Sequence, residues 1–133
     1  MPEKVLINAV LDRDVEAVKK LIEDGYPLEE RDFKGRTALR FATASEQYII
    51  AELLVEAGAD VFTMDSLYIT AAGGVYKSFL VEGNPDGDAR QRLLKLFADK
   101  GVPFPPPNRD EMPEALRDGR WPAHAAPPPI KYD

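Results

Sequence analysis

Three apolar segments in this chain each end in a glycine, and the first two lie 33 residues apart. Residues 18–25 align with residues 51–58, which makes Gly25 and Gly58 equivalent, and residues 94–101 return to the pattern 43 residues later, ending at Gly101. Self-similarity at such an interval indicates a protein built from stacked structural repeats. Because stacked repeats form extended surfaces more readily than closed pockets, the pattern favours binding over catalysis.

The composition is compatible with one small domain. A chain of 133 residues with 44% hydrophobic residues can form a shared core, provided that the repeats pack together. It contains no cysteine, which excludes disulfides and thiolate chemistry. The start of the chain does not resemble an export signal, and no segment approaches the roughly 20 apolar residues of a membrane span. We therefore expect a soluble, cytoplasmic protein that does not interact with membranes.

Acidic residues exceed basic ones, and the net charge is −6. Residues 1–101 hold 18 acidic and 13 basic residues, so the repeats carry most of the excess. Nucleic-acid binding relies on clustered Lys and Arg that neutralise phosphates, and this balance argues against it. Two interpretations are left: the charge attracts a basic protein partner, or it only keeps the protein soluble.

Each of the first two repeats has the pattern of a helix hairpin. Apolar residues recur at helical spacing in residues 5–10 and again in 15–22, on either side of a polar corner. Asp14 is suited to accept a hydrogen bond from the first turn of the second helix, and Gly25 is suited to end that helix. The same pattern predicts helices over residues 37–44 and 48–57 in the next repeat.

Residues 26–35 connect these two hairpins and are predicted to be extended. Pro27 and Gly35 disfavour a helix, and Asp32 and Gly35 have the spacing of a tight turn. We expect a finger that projects from the stack at this point.

Residues 32–42 and 50–61 together resemble one ankyrin repeat, and Asp65 stands where the next repeat of that family would begin. The resemblance implies roles for five positions: the hairpin turn for Asp32 and Gly35, the helix cap for Thr37, and the core for Leu53 and Leu54. Two positions depart from the family pattern, since Ala38 stands where Pro is usual and Arg40 where His is usual.

The predicted fold is therefore all-α, an ankyrin-like stack of helix hairpins with a proline-rich C-terminal cap. The repeats in residues 1–102 are expected at about 1–31, 32–64 and 65–102. The third repeat has ten extra residues, which lie within 73–87 and form either a binding loop or a loop packed on its own aromatic residues. Asp88, with Gln91 three positions later, is predicted to begin the last helix of this repeat.

Residues 103–133 form a tail that holds nine of the twelve prolines. The tail also contains Trp121, Phe104, Met112 and Leu116, which is more apolar material than a disordered linker carries. We predict that it packs on the last repeat and includes a short helix within residues 110–118. The alternative is a displayed polyproline segment that serves as a ligand for another protein.

The chain offers few residues for catalysis or metal binding. His124 is the only histidine and has no Ser or Cys arrangement near it in the sequence. Without cysteine, one histidine cannot complete a zinc site. Asn84, Asp86 and Asp88 alternate like calcium ligands, but Lys95 stands where such a loop needs its bidentate Glu. We predict no catalytic, cofactor-binding or metal-binding residues, and no enzyme.

The family resemblance implies that a partner binds to the finger tips and to the concave face lined by the first helices. The matching positions are Arg31, Phe33, Lys34, Arg36, Arg40, Phe41, Phe62, Met64, Ser66 and Tyr68. Phe33 is the strongest candidate, because a turn tip offers little core to enter and aromatic side chains are enriched at contact centres. The competing interpretation is that Phe33 covers the neighbouring finger.

These observations predict a monomeric protein-protein interaction module that needs no cofactor. One hypothesis, based on charge and size, is that it neutralises a basic partner as an immunity protein or antitoxin does. The alternative is a scaffold or chaperone-like adaptor that holds one protein and displays its proline-rich tail to a second.

Overall fold

The computed structural model describes residues 4–130, and most of its ordered structure is helical. Seven α-helices span Val5–Leu11 (α1), Val15–Glu23 (α2), Ala38–Ala44 (α3), Tyr48–Glu56 (α4), Ala71–Lys77 (α5), Pro85–Asp99 (α6) and Met112–Asp118 (α7), and a 3-10 helix follows at Ala123–Ala125. Within residues 4–130, one isolated antiparallel bridge between Met64 and Thr70 is the only strand-like pairing. The all-α repeat fold predicted from the sequence is confirmed.

The helices of the repeats form two rows around a single core. In the inner row α3 packs against both α1 and α5, and in the outer row α4 packs against both α2 and α6. Leu54 of α4 is fully buried in this core. Leu53, which was expected beside it, is only half-buried, whereas Val55 on the other side of Leu54 is buried. The core face of α4 therefore runs through Leu54 and Val55, and Leu53 lies at its edge.

The three glycines that mark the repeats occupy equivalent helix ends. The amide of the residue after each glycine donates to a carbonyl of the preceding helix: Tyr26 to Leu21 (3.0 Å), Ala59 to Leu54 (2.9 Å) and Val102 to Phe97 (3.0 Å). Gly25, Gly58 and Gly101 have φ angles of 76°, 105° and 98°, a region that glycine adopts without steric cost. The predicted equivalence of the three segments is therefore confirmed.

The inner row is closely packed where α5 meets α3. A Cβ atom on Gly74 would lie 2.9 Å from Thr43 Oγ1 and 3.1 Å from the Thr43 carbonyl carbon and oxygen, so a side chain has no room here. Tyr48 Oη donates to the Gly74 carbonyl at 3.3 Å and reinforces the contact. Burial raises the pKa of the Tyr48 phenol, which keeps the hydroxyl protonated and able to donate.

The extra residues of the third repeat lengthen both the loop after α5 and the helix that follows. α6 has 15 residues, whereas α2 and α4 have nine each. The predicted start of this helix at Asp88 is wrong, since Asn84 is the N-cap and its side chain accepts from the Gly87 amide at 2.8 Å. Pro85 favours the earlier start, because its fixed φ suits the first helical position and its missing N–H is not needed there.

Two helices are capped by carboxylates from other parts of the chain. The residues Asp14, Thr37 and Thr70 cap the helices that directly follow them. α1 and α4 have no such cap. Instead, Glu30 Oε1 accepts from the amides of Leu6 (3.1 Å) and Ile7 (3.2 Å), and Asp86 Oδ1 accepts from the amide of Ile49 (3.0 Å). These carboxylates satisfy amides that a helix start leaves free.

The tail begins with the same turn that begins a repeat. Asn108 follows Gly101 at the spacing that separates Asp65 from Gly58, and its Oδ1 accepts from the amides of Asp110 and Glu111, both at 2.9 Å. The chain then enters α7, but none of the most extensively packed helix pairs in residues 4–130 includes α7. The inner row therefore ends at α5.

After α7 the tail returns to the body through Trp121. This side chain is fully buried, and its indole N–H donates to the Phe62 carbonyl at 3.1 Å. The two rings meet edge to face, with their centroids 5.3 Å apart. Met112, Ala115 and Ala125 are buried in the same core as the repeats, so this part of the tail belongs to the packed body.

We expect Gly74→Ala to be less stable than Gly73→Ala. Gly73 takes the position that Arg40 has in the previous repeat, three residues after the capping Thr, so a side chain is tolerated there. Both substitutions gain similar helix propensity, and the clash with Thr43 then lowers the unfolding free energy of Gly74→Ala by about 1–3 kcal/mol relative to Gly73→Ala. Urea unfolding measures the difference, and equal stabilities would contradict the close contact between α5 and α3.

Candidate protein-binding surface

The first finger (residues 26–36) and the second finger (residues 59–69) end in the same turn. Asp32 Oδ1 accepts from the amides of Lys34 and Arg36, at 3.0 and 2.9 Å. Asp65 Oδ1 accepts from the amides of Leu67 and Ile69, at 2.8 and 3.1 Å. One aspartate per repeat therefore orders the backbone of each finger tip and fixes which side chains lie at the tip.

The two fingers are joined side by side. The amide of Ser66 donates to the carbonyl of Lys34 at 2.8 Å. Arg31 Nη1 donates to two carbonyls, that of Gly35 at 2.6 Å and that of Met64 at 2.9 Å. Arg31 was predicted to contact a partner, but the structure places its guanidinium between the fingers, where it holds them together.

Arg40 fixes the second finger to the inner row. Its Nε and Nη2 atoms donate to Asp65 Oδ2 at 3.2 and 3.0 Å, and the two side chains are only 14% and 3% exposed. Asp65 therefore uses one oxygen for the turn and the other for this ion pair. Arg40 was also predicted to contact a partner, and in the structure its charge is already paired with the carboxylate that shapes the finger.

Four of the predicted residues come together at the tip of the first finger. Phe33 is 55% exposed, with Lys34 Nζ 5.6 Å and Arg36 Cζ 5.8 Å from the centre of its ring. Arg36 Cζ also lies 4.7 Å from the ring centre of Phe41, and Arg36 Nε donates to Asp32 Oδ2 at 2.7 Å. Cations at these distances are attracted to aromatic rings, so the four side chains form one ordered surface of alternating cations and rings.

The predicted residues of the second finger are less accessible. Met64, in the second finger, is fully buried, so its predicted contact with a partner is wrong for this structure. Phe62 is half-buried and contacts the rings of Trp121 and His124, the latter with its centroid 6.2 Å away. Ser66 Oγ donates to the carbonyl of Pro128 at 2.6 Å. The tail therefore lies over positions that the family resemblance assigned to a partner.

Tyr68, the remaining predicted residue, lines an open groove of about 1110 Å³. The groove lies between the second finger, α5, the loop at residues 78–80 and the tail at residues 105–111. Its wall also includes Tyr76 and Phe79, neither of which was predicted as a binding residue. Gly73 also lines the groove. Only Thr70 Oγ1 lies near the position that a Cβ atom on Gly73 would take, so the groove is open at this point.

Phe79 is presented to solvent by a well-supported loop. Its side chain is 95% exposed. Arg90 Nε and Nη2 donate to the carbonyls of Val75 (2.8 Å) and Tyr76 (3.2 Å), which anchors the start of the loop on α6. At the other end, a Cβ on Gly87 would lie 1.8 Å from the Val81 carbonyl oxygen, so only glycine fits beneath the loop. The sequence alone leaves two interpretations of this insertion, a binding loop or a loop packed on its own aromatic residues.

Residues 4–130 hold neither a cluster suited to a metal ion nor a helix suited to spanning a membrane. In that range, no group of three or more His, Asp or Glu residues is arranged to hold a metal ion. None of the helices described there is long and apolar enough to cross a membrane. His124 forms a 3.0 Å contact with Asp60 Oδ2, which joins the tail to the second finger.

Stacked helix hairpins, projecting fingers and an open groove define a class of protein, a helical-repeat interaction module. The family model for the ankyrin repeat matches residues 34–66, which run from the tip of the first finger through α3 and α4 to the tip of the second. Residues 34–66 therefore match one ankyrin repeat, which supports the resemblance inferred from the sequence. Repeats of this family generally mediate protein-protein interaction and are not catalytic units.

We expect Arg40→Ala to lower the unfolding free energy by about 3 kcal/mol, because it leaves the buried Asp65 carboxylate without its cation. Lys34→Ala is the matched control: Lys34 has no carboxylate partner among the ion pairs of residues 4–130, and its removal should change stability by no more than about 0.5 kcal/mol. Urea unfolding followed by Trp121 fluorescence measures both variants. An Arg40→Ala variant of unchanged stability would contradict the structural role and restore Arg40 as a partner-contact residue.

Proposed function

We propose that this chain binds a segment of a partner protein through the tip of the first finger and the groove beside Phe79. The observation that carries the proposal is an almost fully exposed aromatic side chain, held by a supported loop at the edge of an open groove. Large exposed aromatic residues are costly to leave in water and are enriched at the centres of interfaces. Phe33 offers a second such anchor on the first finger.

The groove suits a partner segment that carries apolar side chains and polar edges. Tyr68, Tyr76 and Phe79 supply aromatic surface. The lining carries charges of both signs, from Lys77, Arg109 and Arg120 and from Glu46, Asp110 and Glu111. Aromatic walls provide contact area with little loss of side-chain entropy, and charged groups at the rim orient the bound segment. Ser78 Oγ donates to Glu46 Oε2 in the lining at 2.5 Å, but the lining contains no histidine or cysteine, and its shape and aromatic walls are typical of a binding groove. We therefore propose no enzymatic activity.

The net charge of −6 supports a basic partner, as in the neutralisation of a basic protein by an immunity protein or antitoxin. Exposed carboxylates on the outer row, including Glu16, Glu23 and Glu56, would contribute to the long-range attraction. The first finger instead presents Lys34 and Arg36. We therefore propose that the overall charge speeds the encounter, while the aromatic groups of the finger and groove form the contacts.

The scaffold alternative receives less support from the tail. A displayed ligand needs a segment that stands free of its own domain. Trp121, Met112 and Ala125 are instead buried with the repeats. We therefore propose the single binding module rather than an adaptor with a free tail, and we propose cytoplasmic, monomeric action for it.

We expect Phe79→Ala and Phe33→Ala each to weaken partner binding about tenfold or more, with little change in melting temperature, since both side chains are largely exposed. Val81→Ala is the matched control, because Val81 is 70% exposed in the same loop but does not line the groove. Partners captured from native lysate can be identified with the wild-type chain and their affinities then compared across the three variants. Equal affinity for Phe79→Ala and Val81→Ala would contradict the groove as the binding site.

We expect the association rate with the captured partner to fall by about tenfold when NaCl is raised from about 50 mM to about 500 mM, because salt screens long-range attraction. Glu56→Lys on α4 should slow association at low salt, and Lys95→Glu on α6 should speed it, since both side chains are exposed on the outer row. Stopped-flow or surface-based kinetics measure these rates. A rate that rises with salt, or reversed effects of the two variants, would contradict a basic partner.

A further inference from the structure

The end of the tail lies over the junction of the two fingers. At this junction the Ser66 amide is bound to the Lys34 carbonyl, and Ser66 Oγ donates to the carbonyl of Pro128 at 2.6 Å. A Cβ on Gly35 would come within 2.9 Å of Pro128 Cγ, so the proline ring fills the space that the missing side chain leaves. We call this space, bounded by Gly35 and Ser66, the finger notch.

The finger notch matches the chemistry of an extended proline-containing segment. Proline has no amide N–H, so residues 127–129 present carbonyls without donors, and Ser66 Oγ supplies a donor to the central one. A run of prolines is already extended before it binds, which lowers the entropy lost on ordering. The second finger has no equivalent space, since Tyr68 takes the position and the positive φ of Gly35. The notch is therefore a single site.

The segment in the notch is held much less firmly than the tail before it. Trp121 and Ala125 are buried, and Trp121 is hydrogen-bonded to the Phe62 carbonyl. In residues 126–130, the Ser66 to Pro128 hydrogen bond is the only one that reaches the repeats. Release of these few residues would leave the buried part of the tail in place.

We infer that the finger notch is a binding site for an extended, proline-containing segment of a partner protein, occupied in the free chain by residues 127–129. This inference rests on the proposed protein-binding function and adds the chemical class of one partner segment, but it does not depend on the groove beside Phe79. The chain's own segment competes at an effective concentration that short tethers set at about the millimolar level. A partner segment must therefore displace residues 127–129 from the notch. This competition weakens the apparent affinity of the partner segment for the wild-type chain.

The test uses the full chain with residues 127–129 changed by Pro127→Gly, Pro128→Ser and Pro129→Gly. The probe is a labelled five-residue peptide with the sequence of residues 126–130, and anisotropy measures its affinity. We expect the triple variant to bind this peptide about tenfold more tightly than the wild-type chain, because the competing segment is gone. Adding Ser66→Ala to the triple variant should weaken binding about fivefold, the value of one hydrogen bond of about 1 kcal/mol. Chemical-shift changes should centre on the amides of Gly35 and Ser66.

Two controls separate the notch from the groove and from general destabilisation. Phe79→Ala in the triple variant should leave peptide affinity unchanged, and a loss would place the peptide in the groove and overturn the inference. A folded triple variant that binds no peptide at several times the millimolar level would show the tail to be a cap only. If the triple variant does not fold, the wild-type chain titrated with excess peptide gives the same answer. Saturable shifts at Gly35 and Ser66 would support the site, and unchanged spectra would overturn it.

Discussion

The carboxylate of Asp65 is the group on which the binding surface depends. One of its oxygens orders the turn of the second finger, and the other receives the guanidinium of Arg40 from α3. Because a buried carboxylate is costly to leave unpaired, the finger and the inner helix are fixed to each other. The same finger carries Tyr68 in the wall of the groove and Ser66 beneath the tail, so one ion pair positions two separate surfaces.

Local patterns were sufficient to predict most of the repeat structure. The helix ends at Gly25 and Gly58, the cap at Thr37 and the turn at Asp32 depend on residues only a few positions away, and all four are present. The start of α6 shows where local patterns compete. Asn84 and Asp88 are both suitable N-cap residues, and α6 begins after Asn84.

The binding surface could be predicted only in part, because distant contacts decide which finger residues remain accessible. Phe33 and its neighbours lie within one repeat, and their grouping follows from the turn. Phe62 and Ser66 are hydrogen-bonded to tail residues that lie about sixty positions away in the sequence, and both are half-buried. No spacing rule reports such a contact, and the groove beside Phe79 arises in the same way, from a loop and a tail segment that meet only in the folded chain.

Glu30 and Asp86 have a consequence for how the chain unfolds. Each caps a helix that precedes it in the sequence, so the first turn of α1 depends on the first finger and the first turn of α4 depends on the lengthened α6. Repeat arrays are held by contacts between neighbours and can lose terminal units one at a time. Here the loss of one unit would also expose the free amides of an earlier helix, so fraying from the C-terminal side is opposed. Through Asp86, the extra residues of the third repeat thus couple the folding of α6 to that of α4.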